Sequence, residues 1–438
     1  MSHYKPYPVY KESGVEWLGR VPEHWDIRSV KTLARLDGGA GFPDDEQGQS
    51  DNPIPFFKVA ELASGLRDTA NTVTEETAKR LGAKIFPPST LVFAKVGAAL
   101  LLNRRCLLEM PACLDNNMMA LLPGTYESQW LFWVFCTLDM GLIANPGAVP
   151  SINQEQVGNI RLGVPTIAEQ KSIAQSLRRE TARIDALIEK KARFIELLRE
   201  KRQALITHAV TKGLDPNVKM KDSGVEWLGE VPEHWGVKPL KLLVKEGSTI
   251  SYGIVQPGEP LDEGVPFVQT TNMSSGDFEI ESLQKTTPVI AAGFPRSRLT
   301  GGEVILGIRA SIGAAFVVPM HLAGVNLSRG VARIDCSSEL SSHFFVAYLS
   351  SMAVDGYWQL AKQGSTFNEV SIATVKELLV PVPPREEQAE IEDMLSNATA
   401  RLNSILKKTE RSIELLKERR SALISAAVTG QIDLREAV

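Results

Sequence analysis

A long segment of this chain occurs twice. Residues 12–25 read ESGVEWLGRVPEHW and residues 222–235 read DSGVEWLGEVPEHW, so that only the first and ninth positions differ. A second pair agrees, since IELLREKRQALITHAVT at 195–211 returns as IELLKERRSALISAAVT at 413–429. Two long units of this kind indicate a tandem duplication rather than a solenoid, whose period is roughly 20 to 50 residues. We therefore expect two similar halves related by approximate two-fold symmetry.

Composition places the chain among ordinary globular proteins, with 438 residues, of which 43% are hydrophobic and 23% charged. The opening residues lack the apolar core of a signal peptide, and the longest apolar stretch, 130–144, is too short for a membrane span. The four cysteines show no C-x-x-C spacing, so neither a disulfide framework nor a zinc site is expected. These features predict a cytoplasmic protein.

Each repeat closes with a segment that is typical of a long helix. Residues 168–209 and 386–427 contain no Gly or Pro, and prolines stand just before both segments. Their apolar residues follow a heptad: Ile173, Leu177, Ile184, Ile188, Ile195, Leu198 and Leu205 in the first, and Ile391, Leu395, Leu402, Ile405, Ile413, Leu416 and Leu423 in the second. A packed surface helix is the simple alternative for one such segment. Two at matching positions favour an antiparallel coiled-coil pair, each helix about 63 Å long.

The front of each repeat differs from its tail. Short β-rich runs such as 91–94, 304–308 and 314–319 alternate with Gly- and Pro-rich turns and with helical patches at 129–138 and 342–349. This pattern predicts mixed α/β (α+β) domains. We expect a first globular domain at 1–164, a first spacer helix at 165–213, a second globular domain at 214–380 and a second spacer helix at 381–438.

Known catalytic motifs are missing from the sequence. The P-loop, H-E-x-x-H and G-x-S-x-G are absent, and so is the Asn- or Asp-Pro-Pro-aromatic loop of adenine methyltransferases. His24 and His234 occupy the same place in the repeated PEHW and could mark a duplicated active site. Packing is the better interpretation, because Trp17, Leu18 and Trp25 make the motif an apolar anchor. We expect no catalytic, cofactor-binding or metal-binding residue in this chain.

Aligning the two fronts gives candidate contact residues. The apolar frame of 54–62 is kept in 265–273, while Lys58 becomes Gln269 and Glu61 becomes Asn272. The same alignment sets Lys95 beside Arg309, and places Asn116 and Asn117 near Asn326. Such side chains contact phosphates or base edges, although a solvated surface residue is the usual alternative. The candidates are Lys58, Lys95, Arg104, Arg105, Asn116, Asn117, Tyr252, Gln269, Thr271, Asn272, Arg309, Ser311, Asn326 and Arg329. Arg309 is the strongest single candidate, with a carboxylate-paired arginine as its alternative.

Taken together, the motifs resemble the specificity (HsdS) subunits of type I restriction-modification systems. The likeness covers essentially the whole chain: SG-x-EWLG-x-VPEHW, VP-x-x-x-EQ and the helix ending EKR-x-AL or ERR-x-AL each occur twice. It implies two target-recognition domains that read the two parts of a bipartite double-stranded DNA site, separated by two antiparallel helices. It also implies two methyltransferase subunits that dock here and carry S-adenosylmethionine, and it allows for a restriction (nuclease) subunit.

Two other classes of function stay open at this point. An assembly scaffold would use the helical pair for protein docking without DNA recognition, and salt-dependent DNA binding separates the two classes. A DNA-modifying enzyme in its own right is disfavoured by the missing methyltransferase loop.

Overall fold

The computed structural model describes residues 4–122, 124–362 and 369–435. The chain divides into two compact units. The first unit combines Met1–Lys191 with Arg411–Val438, and the second is the continuous stretch Ala192–Glu410. Within the described ranges, no helix has both the length and the apolar character needed to cross a bilayer.

Two long helices close the repeats, as the heptad pattern predicts. They run over Ile167–Lys212 and Arg385–Val428, with 46 and 44 residues. In the first unit the core joins Ile173, Leu177 and Ile184 from one helix to Leu423, Ile424 and Ala427 from the other. In the second unit it joins Ile206, Ala209 and Val210 to Ile391 and Leu395. In each unit the beginning of one helix meets the end of the other, which confirms the antiparallel pair.

The globular part of the first unit is mixed α/β. Its strands are Tyr10–Glu12, Arg20–Pro22, Asp26–Ser29, Leu36–Gly38, Ile54–Phe57, Thr72–Val73, Leu91–Ala94, Arg105–Leu107, Cys113–Leu114, Met118–Leu121 and Arg161–Val164. Its α-helices are Val30–Leu33, Glu75–Arg80, Gly97–Leu101, Ser128–Cys136, Met140–Ile143 and Gln154–Gly158, with 3₁₀ turns at Asp44–Glu46 and Val59–Ala63.

The globular part of the second unit repeats this order. Its strands are Met220–Asp222, Glu230–Pro232, Gly236–Pro239, Ser251–Tyr252, Val265–Val268, Gln284–Thr286, Val304–Gly307, Ala315–Val317, Asn326–Leu327, Val331–Ile334 and Leu379–Val382. Its α-helices are Thr270–Ser275, Pro288–Ala292, Ser342–Leu349, Met352–Lys362 and Ile372–Glu377, with 3₁₀ turns at Leu240–Leu242, Ile280–Ser282, Pro295–Ser297 and Met320–Leu322.

Sheet topology is the same in both units. A four-stranded antiparallel sheet is centred on Met118–Leu121 and Leu91–Ala94 in the first unit, and on Val331–Ile334 and Val304–Gly307 in the second. Both central strands are buried along their whole length in the first unit, as expected for strands covered on both faces. A three-stranded sheet beside it contains one parallel pair in each unit.

A two-stranded neck joins each globular part to its long helix. Asp26–Ser29 pairs with Arg161–Val164 in the first unit, and Gly236–Pro239 pairs with Leu379–Val382 in the second. The residue after the first neck strand then donates its amide to the residue before the second, from Val30 to Ile160 at 2.9 Å. The chain therefore enters and leaves each globular part at adjacent points.

Candidate nucleic-acid interface

In each unit a candidate residue follows a strand of the three-stranded sheet and begins a short helix. The Lys58 amide donates to Glu61 Oε2 at 2.6 Å, and the Gln269 amide donates to Asn272 Oδ1 at 2.9 Å. Such a bond satisfies an amide at a helix start. The side-chain oxygen of Asn272 thus forms a hydrogen bond within the fold. Its side-chain nitrogen, Nδ2, is the group that remains a predicted base contact.

Asp115 brings together the candidate residues of the first unit. Its buried carboxylate accepts from the amide of the residue after Lys58 at 2.9 Å and from the Asn117 amide at 2.9 Å. The carbonyl of Asn117 accepts in turn from the Lys95 amide at 2.9 Å. Lys58, Lys95 and Asn117 therefore emerge around one turn, with Asn116 exposed on it.

Some candidate cations of the first unit have internal partners. The Lys58 ammonium donates to the side chain of Gln47. The Arg105 guanidinium donates to the carbonyl and to Oδ1 of Asn103, both at 2.9 Å, and burial lowers the pKa of Arg105. Arg105 thus braces its own loop, while the adjacent Arg104 is half-buried.

The second unit gathers two candidate arginines around one carboxylate. Arg309 forms an ion pair with Glu369, and Arg329 Nη2 lies 3.8 Å from the same carboxylate. Ser311 Oγ donates to the carbonyl of Thr270 at 2.9 Å, which ties the Arg309 loop to the start of the short helix. The carboxylate partner that the sequence left as the alternative for Arg309 is therefore present.

The other candidates of the second unit differ in accessibility. Tyr252 is 47% exposed on an edge strand, and Thr271 is exposed on the short helix. The half-buried Gln269 donates to a neighbouring glutamine side chain at 3.0 Å. Asn326 is only 2% exposed, and its Nδ2 donates to Ser297 Oγ at 3.2 Å. The side-chain amide of Asn326 is thus hydrogen-bonded in the interior of the fold.

The hydrogen bonds correct the alignment of Lys95 with Arg309. The Lys95 amide donates to the carbonyl of Asn117, and the equivalent bond in the second unit runs from Ile308 to Gly330. Ile308 therefore occupies the position of Lys95, and Arg309 lies one residue further along. A shift of one residue reverses the direction of a side chain on an extended backbone, so Lys95 and Arg309 are not equivalent groups.

The parallel strand pairs correct the second alignment. Phe57 lies opposite Leu114 in the first unit, as Val268 lies opposite Leu327 in the second. Counting two residues onward, Asn116 matches Arg329. The polar side chain at this turn is thus Asn116 in the first unit and Arg329 in the second. Asn326 is matched by the buried Cys113.

One glycine in each unit permits the closest backbone approach near these turns. A Cβ on Gly39 would lie 1.9 Å from the Asp115 carbonyl oxygen, and a Cβ on Gly253 would lie 1.7 Å from that of Leu327. No other residue fits at such distances. The same steric requirement in both units fixes the edge strand beside the candidate turns.

The repeated histidines belong to the joint between the neck and the long helix. Each binds the glutamate of the VP-x-x-x-EQ motif together with the following tryptophan: His24 Nε2 and Trp25 Nε1 lie 3.0 and 3.2 Å from Glu169, and His234 and Trp235 lie 2.8 and 3.0 Å from Glu387. Two motifs distant in sequence are thus one contact, repeated. Over the described residues, no group of three His, Cys, Asp or Glu side chains could hold a metal ion.

Sequence reasoning missed Asp115 and Glu369. Asp115 stands at the head of the DNN run from which Asn116 and Asn117 were taken, so a polar residue directly after a buried strand was the available signal. Glu369 lies 60 residues after Arg309, and nothing local in the sequence connects them.

Comparison with known proteins matches most of the chain. The family model described as "Type I restriction modification DNA specificity domain" matches residues 22–197 and again residues 232–415. The specificity subunit of the type I restriction enzyme EcoBI from Escherichia coli is 21% identical over 430 residues, which cover 96% of this chain and 89% of the relative.

Solved structures share the fold. A chain from a structure of complex assembly and conformational transition in the type I R-M system has a TM-score of 0.73 at 16% identity, covering 94% of this chain and 99% of the other. The HsdS subunit from Thermoanaerobacter tengcongensis has a TM-score of 0.57 at 16% identity, covering 94% and 98%.

Proposed function

This chain belongs to the family of type I restriction-modification DNA specificity domains, and we propose that each of its two domain copies reads one part of a bipartite double-stranded DNA target. The observation that carries the proposal is the constancy of the frame. Sheets, glycine approach and short helix recur in both units, while the side chains on the same turns differ. Two domains that share a backbone architecture but carry different side chains on the same turns are suited to recognising two different DNA sequences.

The contact residues themselves remain predictions. The first unit contributes Asn116, Lys95 and the nearby Lys58 as candidate DNA contacts. The second unit contributes Arg309 and Arg329. Arginine donates well to guanine and asparagine to adenine, so the two units should prefer different bases. The assembly scaffold is the weaker candidate, because the matched family is one of DNA specificity.

Exchanging one globular part tests the proposal. The necks give the boundaries: residues 30–160 of this chain are replaced by the corresponding part of a related specificity chain, which keeps both neck strands and the joint. Expressed with a methyltransferase partner in cells, this variant should change one half of the sequence methylated and keep the other half, as mapped by methylation-sensitive sequencing. Changes in both halves, or in neither, would contradict two separate readers.

The chemistry is proposed to come from partners. Two methyltransferase subunits carrying S-adenosylmethionine would dock on the long helices, with a restriction subunit as a further partner. Support lies in large apolar side chains that the first helix leaves exposed in the second unit, where Phe194 and Leu197 are 45% and 47% exposed. The step of three residues places these two side chains on one helical face.

A pair of variants tests this docking face. Phe194→Glu together with Leu197→Glu should abolish co-purification of the methyltransferase subunit, because charge is introduced into an apolar contact. Ala192→Glu adds a charge at an exposed position on another side of the same helix and should have no effect. Unchanged helical circular dichroism separates a lost interface from a lost fold. Normal co-purification of the double variant would place the interface elsewhere.

A further inference from the structure

We propose that Glu369 is an internal competitor for DNA in the second unit, which holds Arg309 and Arg329 in the free protein and must be displaced before they contact DNA. This inference rests on the proposed function. It concerns how tightly the second unit binds its DNA.

The geometry sets two cations against one anion. Arg309 is paired directly with Glu369, and Arg329 approaches the same carboxylate to 3.8 Å. The side chains of Arg309, Arg329 and Glu369 are 33%, 45% and 27% exposed. The cluster is therefore open to an incoming phosphate or base edge, and its net charge is positive.

The position of Glu369 is fixed by the backbone. Glu369 and Arg309 face each other in an isolated antiparallel bridge. The next amide, that of Val370, donates to the carbonyl of Ile308 at 2.9 Å, and both of these neighbours are buried. The carboxylate is thus held beside the arginines by the fold, rather than by a flexible chain that happens to reach them.

The first unit has the same bridge without the charges. Val96 faces Ser151 as Arg309 faces Glu369, and Asn116 stands at the position of Arg329. The duplicated frame therefore does not require the carboxylate. Of the two units, only the one in which two arginines converge has the carboxylate. We therefore associate Glu369 with the control of those arginines.

An internal anion acts differently on right and wrong DNA. Any phosphate attracts a free arginine, and this attraction is independent of sequence. When the arginines are already paired, a wrong sequence offers too little to replace the pair. A target sequence offers bidentate base contacts that do. The free energy of the pair is lost in full wherever the arginines contact DNA, so Glu369 should weaken binding most on the target and by no more than that where the second half-site is wrong.

The substitution Glu369→Gln in the full-length chain tests this. Binding is measured by fluorescence anisotropy across a salt series, on the target mapped by the exchange experiment and on duplexes with either half-site scrambled. We expect about tenfold tighter binding on the intact target, but only about threefold tighter binding when the second half-site is scrambled. The salt dependence should steepen by about one unit, since each additional phosphate contact contributes about 0.9. Discrimination at the first half-site should not change.

Two variants serve as controls. Glu377→Gln removes the same charge from the same unit, where Glu377 pairs with Lys241 at 2.8 Å, and should leave the affinity for the target nearly unchanged. Adding Arg309→Gln to Glu369→Gln should cancel most of the gain in affinity for the duplex with the scrambled second half-site. Thermal unfolding of each variant reports whether the fold is intact.

The outcomes are separable. Wild-type affinity, salt slope and discrimination in the folded Glu369→Gln variant would overturn the inference and leave the proposed function standing. Weaker binding confined to duplexes with an intact second half-site would overturn it as well, because Glu369 would then accept directly from a base such as cytosine. A wild-type chain that ignores the second half-site would overturn the proposed function instead.

Discussion

The two units contain the same parts but are assembled differently. The second unit is one continuous stretch in which the end of the first long helix leads directly into the neck and globular part. The first unit obtains the end of a long helix from the other extremity of the chain. It is therefore a circularly permuted copy of the second unit. A connection that is covalent in one unit is made by side chains and backbone hydrogen bonds in the other.

The segment after the second helix shows how the first unit is closed. The Asp433 amide donates to the carbonyl of Lys5 at 2.8 Å, and Gln431 Nε2 donates to the carbonyl of Arg20 at 2.8 Å. The Arg435 guanidinium lies 5.1 Å from the centre of the Tyr7 ring. These contacts replace one peptide connection, so the first unit depends on them for its integrity.

The largest difference is expected from the apolar side chains of that closing segment. Ile432 and Leu434 are 6% and 2% exposed, and replacing both by Ser should destabilise the first unit by about 3 to 6 kcal/mol. Hydrogen exchange should accelerate in Leu91–Ala94 and stay slow in Val304–Gly307. Leu214, which matches Ile432 in the repeat and is 39% exposed, provides the control Leu214→Ser with a small effect. Equal acceleration in both strands would contradict separate closure of the first unit.

The next difference concerns the repeated joint. Glu169 is 4% exposed and accepts from Tyr7, His24 and Trp25, whereas the Glu387 side chain is 23% exposed and accepts from two donors. Burial, with the hydrogen bond to Glu169, raises the pKa of Tyr7, so its hydroxyl stays a donor.

Removing these carboxylates should therefore cost different amounts. Glu169→Ala leaves buried donors without an acceptor and should destabilise the first unit by about 3 kcal/mol, while Glu387→Ala should cost the second unit about 1 kcal/mol. Chemical denaturation, with hydrogen exchange followed separately in each unit, measures the two free-energy costs. Glu169→Gln retains an acceptor and should recover part of the loss. Equal costs for the two alanine variants would mean that burial does not distinguish the joints.

The duplication was sufficient to predict most of this architecture. Helix periodicity located both long helices to within a few residues, and the strand Leu91–Ala94 and the helix Ser342–Leu349 were predicted with their observed bounds. Hydrophobic patterns of this kind act locally, so they are legible without a structure. Even the permutation leaves a trace, since VTKGLD at 210–215 resembles VTGQID at 428–433.

The candidate turns were harder to predict for a physical reason. Short strands joined by loops of unequal length align about equally well when shifted by one residue, and only hydrogen bonds show which shift is real. That is how Lys95 was matched to Arg309 instead of to Ile308. The Arg309–Glu369 pair is a tertiary contact across 60 residues, and a single sequence contains no local pattern that specifies it.

A smaller difference is expected at the tryptophans of the repeated EWLG. The Trp227 ring packs at a tilt of 43° against Tyr357, with ring centres 5.0 Å apart, and Tyr357 belongs to a helix of 11 residues. The matching helix of the first unit, Met140–Ile143, has 4 residues. Trp17 is 39% exposed there, beside a groove of about 590 Å³. Trp227→Ala should thus cost about 2 kcal/mol and Trp17→Ala about 1 kcal/mol or less, measured as above. The reverse order would mean that the longer helix does not support its tryptophan.

The smallest expected difference is in acid. The Arg435 guanidinium, hydrogen-bonded to Asp433 Oδ1 at 2.9 Å, lowers the pKa of Asp433 in the folded chain. A lowered carboxyl pKa contributes stability above the pKa of the unfolded chain, about 3.9, and this contribution is lost as pH falls through the folded value. Because the pair is partly exposed, Asp433→Asn should cost the first unit under about 1 kcal/mol at neutral pH, and the cost should vanish well below pH 4. In the second unit, Asp215 matches Asp433 but the uncharged Asn217 stands in place of Arg435. Arg435→Asn, which gives the first unit the residue of the second, should therefore remove this acid-dependent loss when unfolding is compared with that of the wild type between pH 2 and 7. A loss that persists in this variant would assign it to the backbone hydrogen bond from residue 435 to Asp433 rather than to the guanidinium.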